Sequence, residues 1–338
     1  MKILFIGGTG VISSACSELA LARGYELFLL NRSASKKIPV PEGAAVLQAD
    51  VYREEARVAT LLEGYHFDAV VDFIAYTEQD IERDLRILRS KTDQFVFISS
   101  ASAYQKPVRN YLITEETPLE NPYWEYSRNK IAIENRLMQA YRDEGFPVTI
   151  VRPSHTYGPT QIPLGVSSWM HPWTVIDRMK RGQKVIVPGD GTSLWVLTWN
   201  GDFAKGLVGL LGNKEAIGEA FQITSDEVLT WDQIHVEAYH ALSLEPNLVH
   251  IPSDLLALYH PDSLGSLVGD KANSVVFDNS KIKLFVPDYA CEVTWTEGLW
   301  RSLAWFEAHP EFQTIDHHLN SVWDRVIAAY ERAFPEQS

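Results

Sequence analysis

The sequence predicts an α/β fold, a doubly wound parallel sheet with a smaller C-terminal region folded over its edge, and three observations carry that prediction. Short apolar runs alternate with amphipathic stretches through roughly the first 150 residues, as expected of a parallel sheet covered on both faces. A glycine turn, Gly7-Gly8-Thr9-Gly10, joins the first apolar run to the first amphipathic stretch. Beyond Arg152-Pro153 the texture changes: Trp, Pro and His become frequent, and nine of the ten tryptophans lie past residue 150, Trp124 being the exception.

Taken in order, strands are expected at residues 2–6, 26–30, 45–48, 69–74, 94–99 and 148–151. Helices are expected near 11–23, 53–62, 78–88 and 124–144. The run Ala69-Val70-Val71-Asp72-Phe73-Ile74 is almost continuously apolar, which suits a strand buried on both faces. This divides the chain into a domain over 1–153, to which 195–223 returns, and a second region formed by 154–194 and 224–338. A final amphipathic helix is expected over 315–334. Its His317-His318 pair diverges around the helix and has no carboxylate spaced to join it, so no metal site is expected.

Composition limits the partners. A chain of 338 residues, 46% hydrophobic and 22% charged, is ordinary for a globular protein large enough to bury a ligand cleft. Its net charge of −14 repels nucleic-acid backbones and anionic membranes, so neither is an expected partner. The longest basic cluster, Arg178, Lys180, Arg181 and Lys184, reads as the solvated end of a helix. Two cysteines, Cys16 and Cys291, make no disulfide framework and no metal-ligand spacing, so a reducing compartment is the default. The opening run Ile3-Leu4-Phe5-Ile6 is too short for a secretory signal, and no run approaches the ~18 apolar residues of a membrane span. A cytoplasmic location follows as the expectation.

Gly7, Gly10 and Ser13 occupy the three small-residue positions of a GxxGxxG turn of the Rossmann type. Glycine allows positive φ and close backbone approach, and the helix N-terminus beyond it offers free N–H groups to a pyrophosphate. The backbone of Gly7, Thr9, Gly10, Val11 and Ile12 is therefore the expected cradle of a dinucleotide. Ser13, in place of a third glycine, is expected to crowd the helix slightly against the strand. About twenty residues past the turn an NAD site presents Asp or Glu to the ribose diol, whereas an NADP site uses Arg. Here the sequence reads Asn31-Arg32-Ser33, which favours NADP over NAD. Asp50 and Val51, after the third strand, are placed to meet the adenine.

Tyr126 and Lys130 form a YxxxK spacing that puts both side chains on one helical face. The strand Phe95-Val96-Phe97-Ile98 ends in Ser99-Ser100-Ala101-Ser102, so hydroxyls emerge at the carboxyl edge where an open sheet binds ligands. A free tyrosine has a pKa near 10, so serving as a base at neutral pH requires a fall of roughly 3 units, or about 4 kcal/mol. A neighbouring Lys ammonium favours the phenolate. Ser100 is then the hydrogen-bond partner of a substrate oxygen, Tyr126 the proton acceptor as hydride leaves, and Lys130 the group that favours the phenolate and can also hold the nicotinamide ribose, so Tyr126 and Lys130 count among the cofactor contacts as well.

With turn, serine strand and YxxxK in this order, the sequence resembles the extended short-chain dehydrogenase/reductase superfamily, the NAD-dependent epimerase/dehydratase family. The resemblance runs through Ala49-Asp50-Val51, Tyr104, Arg152-Pro153, Tyr157-Gly158-Pro159, Pro188-Gly189-Asp190-Gly191 and Asp202-Phe203-Ala204. It implies a C-terminal substrate-binding region, with Pro153 and Ser154 flanking the nicotinamide and Ala75 and Ser99 completing the cofactor set. It also allows a homodimer through a helical face.

Two departures bear on the reaction. The family's sugar 4,6-dehydratases carry Thr-Asp-Glu where this chain has Ser100-Ala101-Ser102, so dehydration is not expected. Members acting on nucleotide-diphosphate sugars carry an Arg five residues past the aspartate that here is Asp190; this chain has Trp195, leaving Arg178 or Arg181 as substitutes. Among Trp169, Trp173, Trp195 and Trp199, core filling is the simpler role. Ser102, His155 and Trp195 are the candidate substrate contacts, with His155 either an extra acid or base or a hydrogen-bonded structural histidine. The expected activity is Tyr/Lys-assisted hydride transfer, as epimerase or dehydrogenase/reductase, at a secondary alcohol of a sugar-like small molecule. The alternatives are an NADPH-dependent carbonyl reductase on a non-sugar ketone and a non-catalytic dinucleotide sensor or RNA-associated protein.

Overall fold

A computed structural model describes residues 1–32 and 37–334; Ser33 of the Asn31-Arg32-Ser33 signal and residues 335–338 of the C-terminal region lie outside the described residues. The first half alternates strand and helix: β1 (Lys2–Ile6), α1 (Val11–Ala22), β2 (Glu26–Asn31), β3 (Ala45–Gln48), α2 (Glu55–Leu61), β4 (Ala69–Asp72), α3 (Glu78–Leu88), β5 (Phe95–Ile98) and α4 (Glu125–Glu144). With the strands Val148–Pro153 and Ala220–Ile223 they make a seven-stranded parallel sheet. Its order runs from Ala220–Ile223 through Val148–Pro153, β5, β4, β1 and β2 to β3. The chain turns outward in both directions from the β1–β4 boundary, the switch point at which an open sheet leaves a crevice at its carboxyl edge.

The strand expected over 69–74 stops at Asp72. That carboxylate is fully buried, and its Oδ1 accepts from the backbone N–H groups of Ile74 (2.6 Å) and Ala75 (2.8 Å), turning the chain out of the sheet. Two elements of the later chain lie against the first half. Ala220–Ile223 pairs with Val148–Pro153, and the helix α6 (Asn200–Leu210) packs on α1, whereas Leu194-Trp195 pairs outside the main sheet with Leu229-Thr230.

The C-terminal region has its own core, in which Trp173, Trp195, Trp231, Trp295 and Trp323 are all buried. It is built from α5 (Trp173–Lys180), α7 (Trp231–Ala241), α8 (Ser253–Tyr259) and the helices Trp295–Ala308 and His317–Glu331. Of the basic cluster at the end of α5, Lys180, Arg181 and Lys184 are exposed as a solvated helix end would be, and Arg178 alone departs from that expectation. Arg178 is only 2% exposed; it donates to the Lys184 carbonyl and to Asn320 (3.0 Å) and Asp324 (2.8 Å), clamping α5 to the terminal helix. Arg181 is exposed and paired with Asp177.

The glycine turn is tighter than its sequence suggests. Gly7 has φ +85°, and a Cβ there would lie 2.5 Å from Ile74 Cγ2. Ser13 braces this turn rather than crowding it: its hydroxyl accepts from Gly10 N–H (2.8 Å) and donates to the Gly7 carbonyl (2.6 Å). Its size suits a position where a glycine would leave both groups unpaired. Gly7→Ala is expected to cost about 1–3 kcal/mol from the left-handed backbone alone and to weaken dinucleotide binding, measured by denaturant midpoint and cofactor titration. An unchanged midpoint would show that the turn relaxes.

Candidate active site

Ser100 follows β5 in extended conformation and caps the short 3-10 turn Ala101–Ala103. Its hydroxyl accepts from Ser102 N–H (3.2 Å) and lies 2.9 Å from the Ser102 hydroxyl, which in turn accepts from Ser127 Oγ (2.8 Å). The serine-rich strand end and the first turn of α4 are thus tied together by hydroxyls. Tyr126 sits on that first turn beside Ser100. Burial raises its pKa, the neighbouring Tyr76 adds to this, and the hydrogen bond with Ser100 works the other way. At rest the phenol holds its proton.

Lys130, one turn on, is 2% exposed and donates to the carbonyls of Ala75 and Ile98, both at 2.8 Å. Its ammonium lies over the rings of Phe97 (4.7 Å), Tyr76 (4.9 Å) and Tyr126 (5.7 Å). Burial pulls its pKa down to about 8, against the opposing pull of Asp72, Glu134 and Asp80. Lys130 is therefore charged at neutral pH and aimed at the floor of the site.

Beneath this pair runs a buried ionic network. Ser99 Oγ donates to Glu134 Oε1 (2.5 Å), and Arg152 grips the same carboxylate through Nε (3.0 Å) and Nη2 (2.6 Å). Arg152 continues to Tyr104 OH (3.3 Å), which donates to Gln222 (3.0 Å). Glu134 stands one turn past Lys130 on α4, so the network fixes the helix against β5 and the strand Val148–Pro153.

Ser100, Ser102, Tyr126, Pro153, Ser154 and His155 line one cavity of about 770 Å³, with Ile12 and Tyr76 at its cofactor side. Trp195 stands behind this wall: it is 2% exposed, stacked on Trp231 (5.1 Å between centroids), and its indole N–H donates to His155 Nδ1 at 3.2 Å. Because an indole only donates, Nδ1 is an acceptor and Nε2 carries the proton. Burial, and then the charge of Lys271, hold the His155 pKa down at about 3. His155 is a neutral hydrogen-bond donor in this setting, which fits the hydrogen-bonded structural reading of it better than the acid/base one.

The opposite wall holds residues that no motif pointed to. Asp270 and Lys271 close a π-helical turn, Leu267–Lys271, and both face the cavity. Asn121 spans the two walls, its Nδ2 donating to the carbonyls of Ser102 and Gly269, each at 2.8 Å. Trp231 Nε1 holds the Lys271 carbonyl (3.0 Å), and Lys106 Nζ lies 3.9 Å from Asp270. Burial raises the Asp270 carboxyl, with Lys106 and Lys271 opposing. The bond from Asn121 to Gly269 joins positions 148 residues apart, a pairing that periodicity and spacing do not reveal.

The residues around the glycine turn fit a dinucleotide. The turn admits no Cβ at Gly7, nor at Gly8, where one would lie 2.4 Å from Leu29. Thr9, Gly10, Val11 and Ile12 follow at the start of α1, whose first N–H groups have no acceptor within the helix. Asn31 Oδ1 accepts from Gly8 N–H (3.1 Å), while its Nδ2 is buried with no partner among the described residues. Arg32 is exposed beside it, Asp50 is half-buried, and Val51 and Ala75 are buried. Among the described residues no cluster of His, Cys, Asp and Glu is arranged to hold a metal, and no helix is long and apolar enough to cross a membrane.

The family model for the NAD dependent epimerase/dehydratase family matches residues 3–224. The chain is 27% identical over 261 residues to the chloroplast stem-loop binding protein of 41 kDa b of Arabidopsis thaliana, covering 74% of this chain and 65% of that protein. It is 26% identical to a putative UDP-glucose 4-epimerase of Methanocaldococcus jannaschii, covering 67% of this chain and 82% of that one. Among solved structures, the dTDP-glucose 4,6-dehydratase of Bacillus anthracis in complex with NAD superimposes with a TM-score of 0.74 at 19% identity, covering 92% of this chain and 98% of that chain. The UDP-glucuronic acid 4-epimerase of Bacillus cereus, in complex with UDP-glucuronic acid and NAD, gives 0.73 at 20% identity, covering 91% and 99%. At these identities the structural likeness is one of fold.

Proposed function

The chain belongs to the NAD-dependent epimerase/dehydratase family, and from that premise we propose that it oxidises a secondary alcohol of a sugar-like small molecule, as an epimerase or as a dehydrogenase/reductase. The observation that carries this reading is the convergence of Ser100, Tyr126 and His155 on one cavity, with Lys130 buried beneath it, at the carboxyl edge of the sheet. A bound nicotinamide supplies the hydride acceptor. Ser100 orients the substrate oxygen, Tyr126 takes its proton in oxidation or returns one in reduction, and Lys130 favours the phenolate. His155 donates from Nε2 and Asp270 accepts, a pairing suited to a polyol's hydroxyls. Ser100-Ala101-Ser102 offers no acid or base of the kind elimination needs, so we assign oxidation rather than dehydration.

The test is a panel of hexoses and their glycosides incubated with oxidised cofactor. Reduced nicotinamide fluorescence, or inversion at a carbinol carbon seen by NMR, is the expected result; neither signal from any member would overturn the reading. The carbonyl-reductase reading is favoured by the cavity's lack of a lining arginine among the described residues. The RNA-associated reading is less well supported. One relative bears a stem-loop-binding name, but the net charge of −14 opposes a phosphate backbone.

Because Arg32 is exposed at the end of β2, the position from which an arginine meets a 2′-phosphate in NADP sites, we assign NADP as the preferred cofactor. Arg32→Ala is expected to weaken NADP(H) about tenfold, the loss of one charge-assisted contact, and to leave NAD(H) unchanged. Tighter NADH binding by the parent protein would reverse the assignment. The pH profile follows from Lys130. Below about 8 it is protonated and supports the phenolate; above, the charge is lost. Alcohol oxidation is expected to decline on the alkaline side of pH 8, and a rate still climbing through pH 10 would exclude Lys130 as the charge that matters.

A further inference from the structure

The cavity has a second half that the chemistry above does not use. The helix His317–Glu331 and α8 present Leu256, Leu319, Val322, Trp323 and Val326 to it, and Trp169 and Met170, 63% and 76% exposed, stand at its mouth. Across the whole cavity the charged side chains are Asp262, Asp270, Asp316 and Lys271, beside the imidazoles of His155, His171, His260 and His318, so carboxylates outnumber the single ammonium. No arginine lines it among the described residues. The two that the sequence offered are committed elsewhere, Arg178 to Asn320 and Asp324 and Arg181 to Asp177. A diphosphate seated here would lose water without gaining a guanidinium and would face like charge. An uncharged apolar group meets a wall of its own kind.

We propose that the substrate is an alcohol whose far end is an uncharged apolar substituent, aryl or acyl, lying against the helix His317–Glu331 and α8, where a nucleotide-linked sugar carries its diphosphate. The inference rests on the alcohol reading above, for the substituent is the far end of that alcohol. It accounts for an aliphatic wall and an aromatic mouth beside a polar floor.

The test uses the cofactor-loaded protein and two probes, the neutral fluorophore N-phenyl-1-naphthylamine and UDP. Saturable one-to-one fluorophore binding is expected, undisturbed by millimolar UDP, with no heat of UDP binding by calorimetry. Leu319→Glu is expected to weaken the fluorophore at least tenfold, about 1.4 kcal/mol. Trp169→Ala, at an exposed position that bears no folding load, is expected to weaken it in the same direction. Displacement by UDP, or fluorophore binding unchanged in both variants, would overturn the proposal. Because turnover does not enter this readout, loss of all alcohol oxidation with fluorophore binding intact removes the alcohol reading alone.

Discussion

Replacing Tyr126 by phenylalanine is expected to lower kcat about a thousandfold, within the 10²–10⁴ that a positioned proton donor or acceptor contributes, and to leave cofactor affinity unchanged. The substitution removes one oxygen from a ring whose position is set by packing against Trp124 (5.0 Å between centroids) and Tyr76 (6.2 Å), so the helix and its Lys130 stay in place. Ser100 keeps its bonds to Ser102, and the carbonyl anchors of Lys130 do not involve the phenol. A loss confined to kcat and kcat/KM is the signature of an interaction made as the proton moves. Turnover retained within threefold, with the parent pH profile, would mean that the proton leaves by another route.

Arg152→Met is expected to cost 3–5 kcal/mol of stability, the order found when one partner of a buried ion pair is removed. Glu134 would be left 2% exposed with the Ser99 hydroxyl as its remaining side-chain hydrogen bond and only the Lys130 ammonium, one turn away, to offset its charge, and Tyr104 would lose a donor. Against a total of roughly 5–15 kcal/mol this is a large share, readable as a shift in denaturant midpoint. The double variant with Glu134→Leu is expected to recover much of the loss, because replacing both charges removes the desolvation cost together with the attraction. If the single variant lost less than 1 kcal/mol, water or another cation would have to reach Glu134.

The two sets of residues differ in how far the sequence revealed them, for a physical reason. Gly7, Ser100, Tyr126 and Lys130 were legible because each acts within a local unit: a turn, a strand end, one face of a helix. Their spacing is set by backbone geometry that repeats from protein to protein. The parallel sheet followed from alternation of elements in the same way. Asp270, Lys271 and Asn121 were not legible, since what makes them neighbours is the docking of a C-terminal π turn on the serine loop. Arg178 was visible as a residue and misjudged as an environment, and the sequence left the role of His155 open between two readings. An indole behind the imidazole and a terminal helix over the guanidinium decide their state, and both partners are remote in sequence.

Asn121 gives this arrangement a consequence for how the protein can diverge. One amide holds the serine loop and the π turn, so two halves of the cavity share a hinge pin of a single side chain. The wall beyond the pin is carried by α8 and the helix His317–Glu331, outside residues 3–224, the stretch that the family model matches. The far wall can therefore be rewritten while Ser100, Tyr126 and Lys130 stay in place. Transplanting the segment from α8 through the terminal helix, with Asn121 kept, is the natural route for altering what this scaffold accepts.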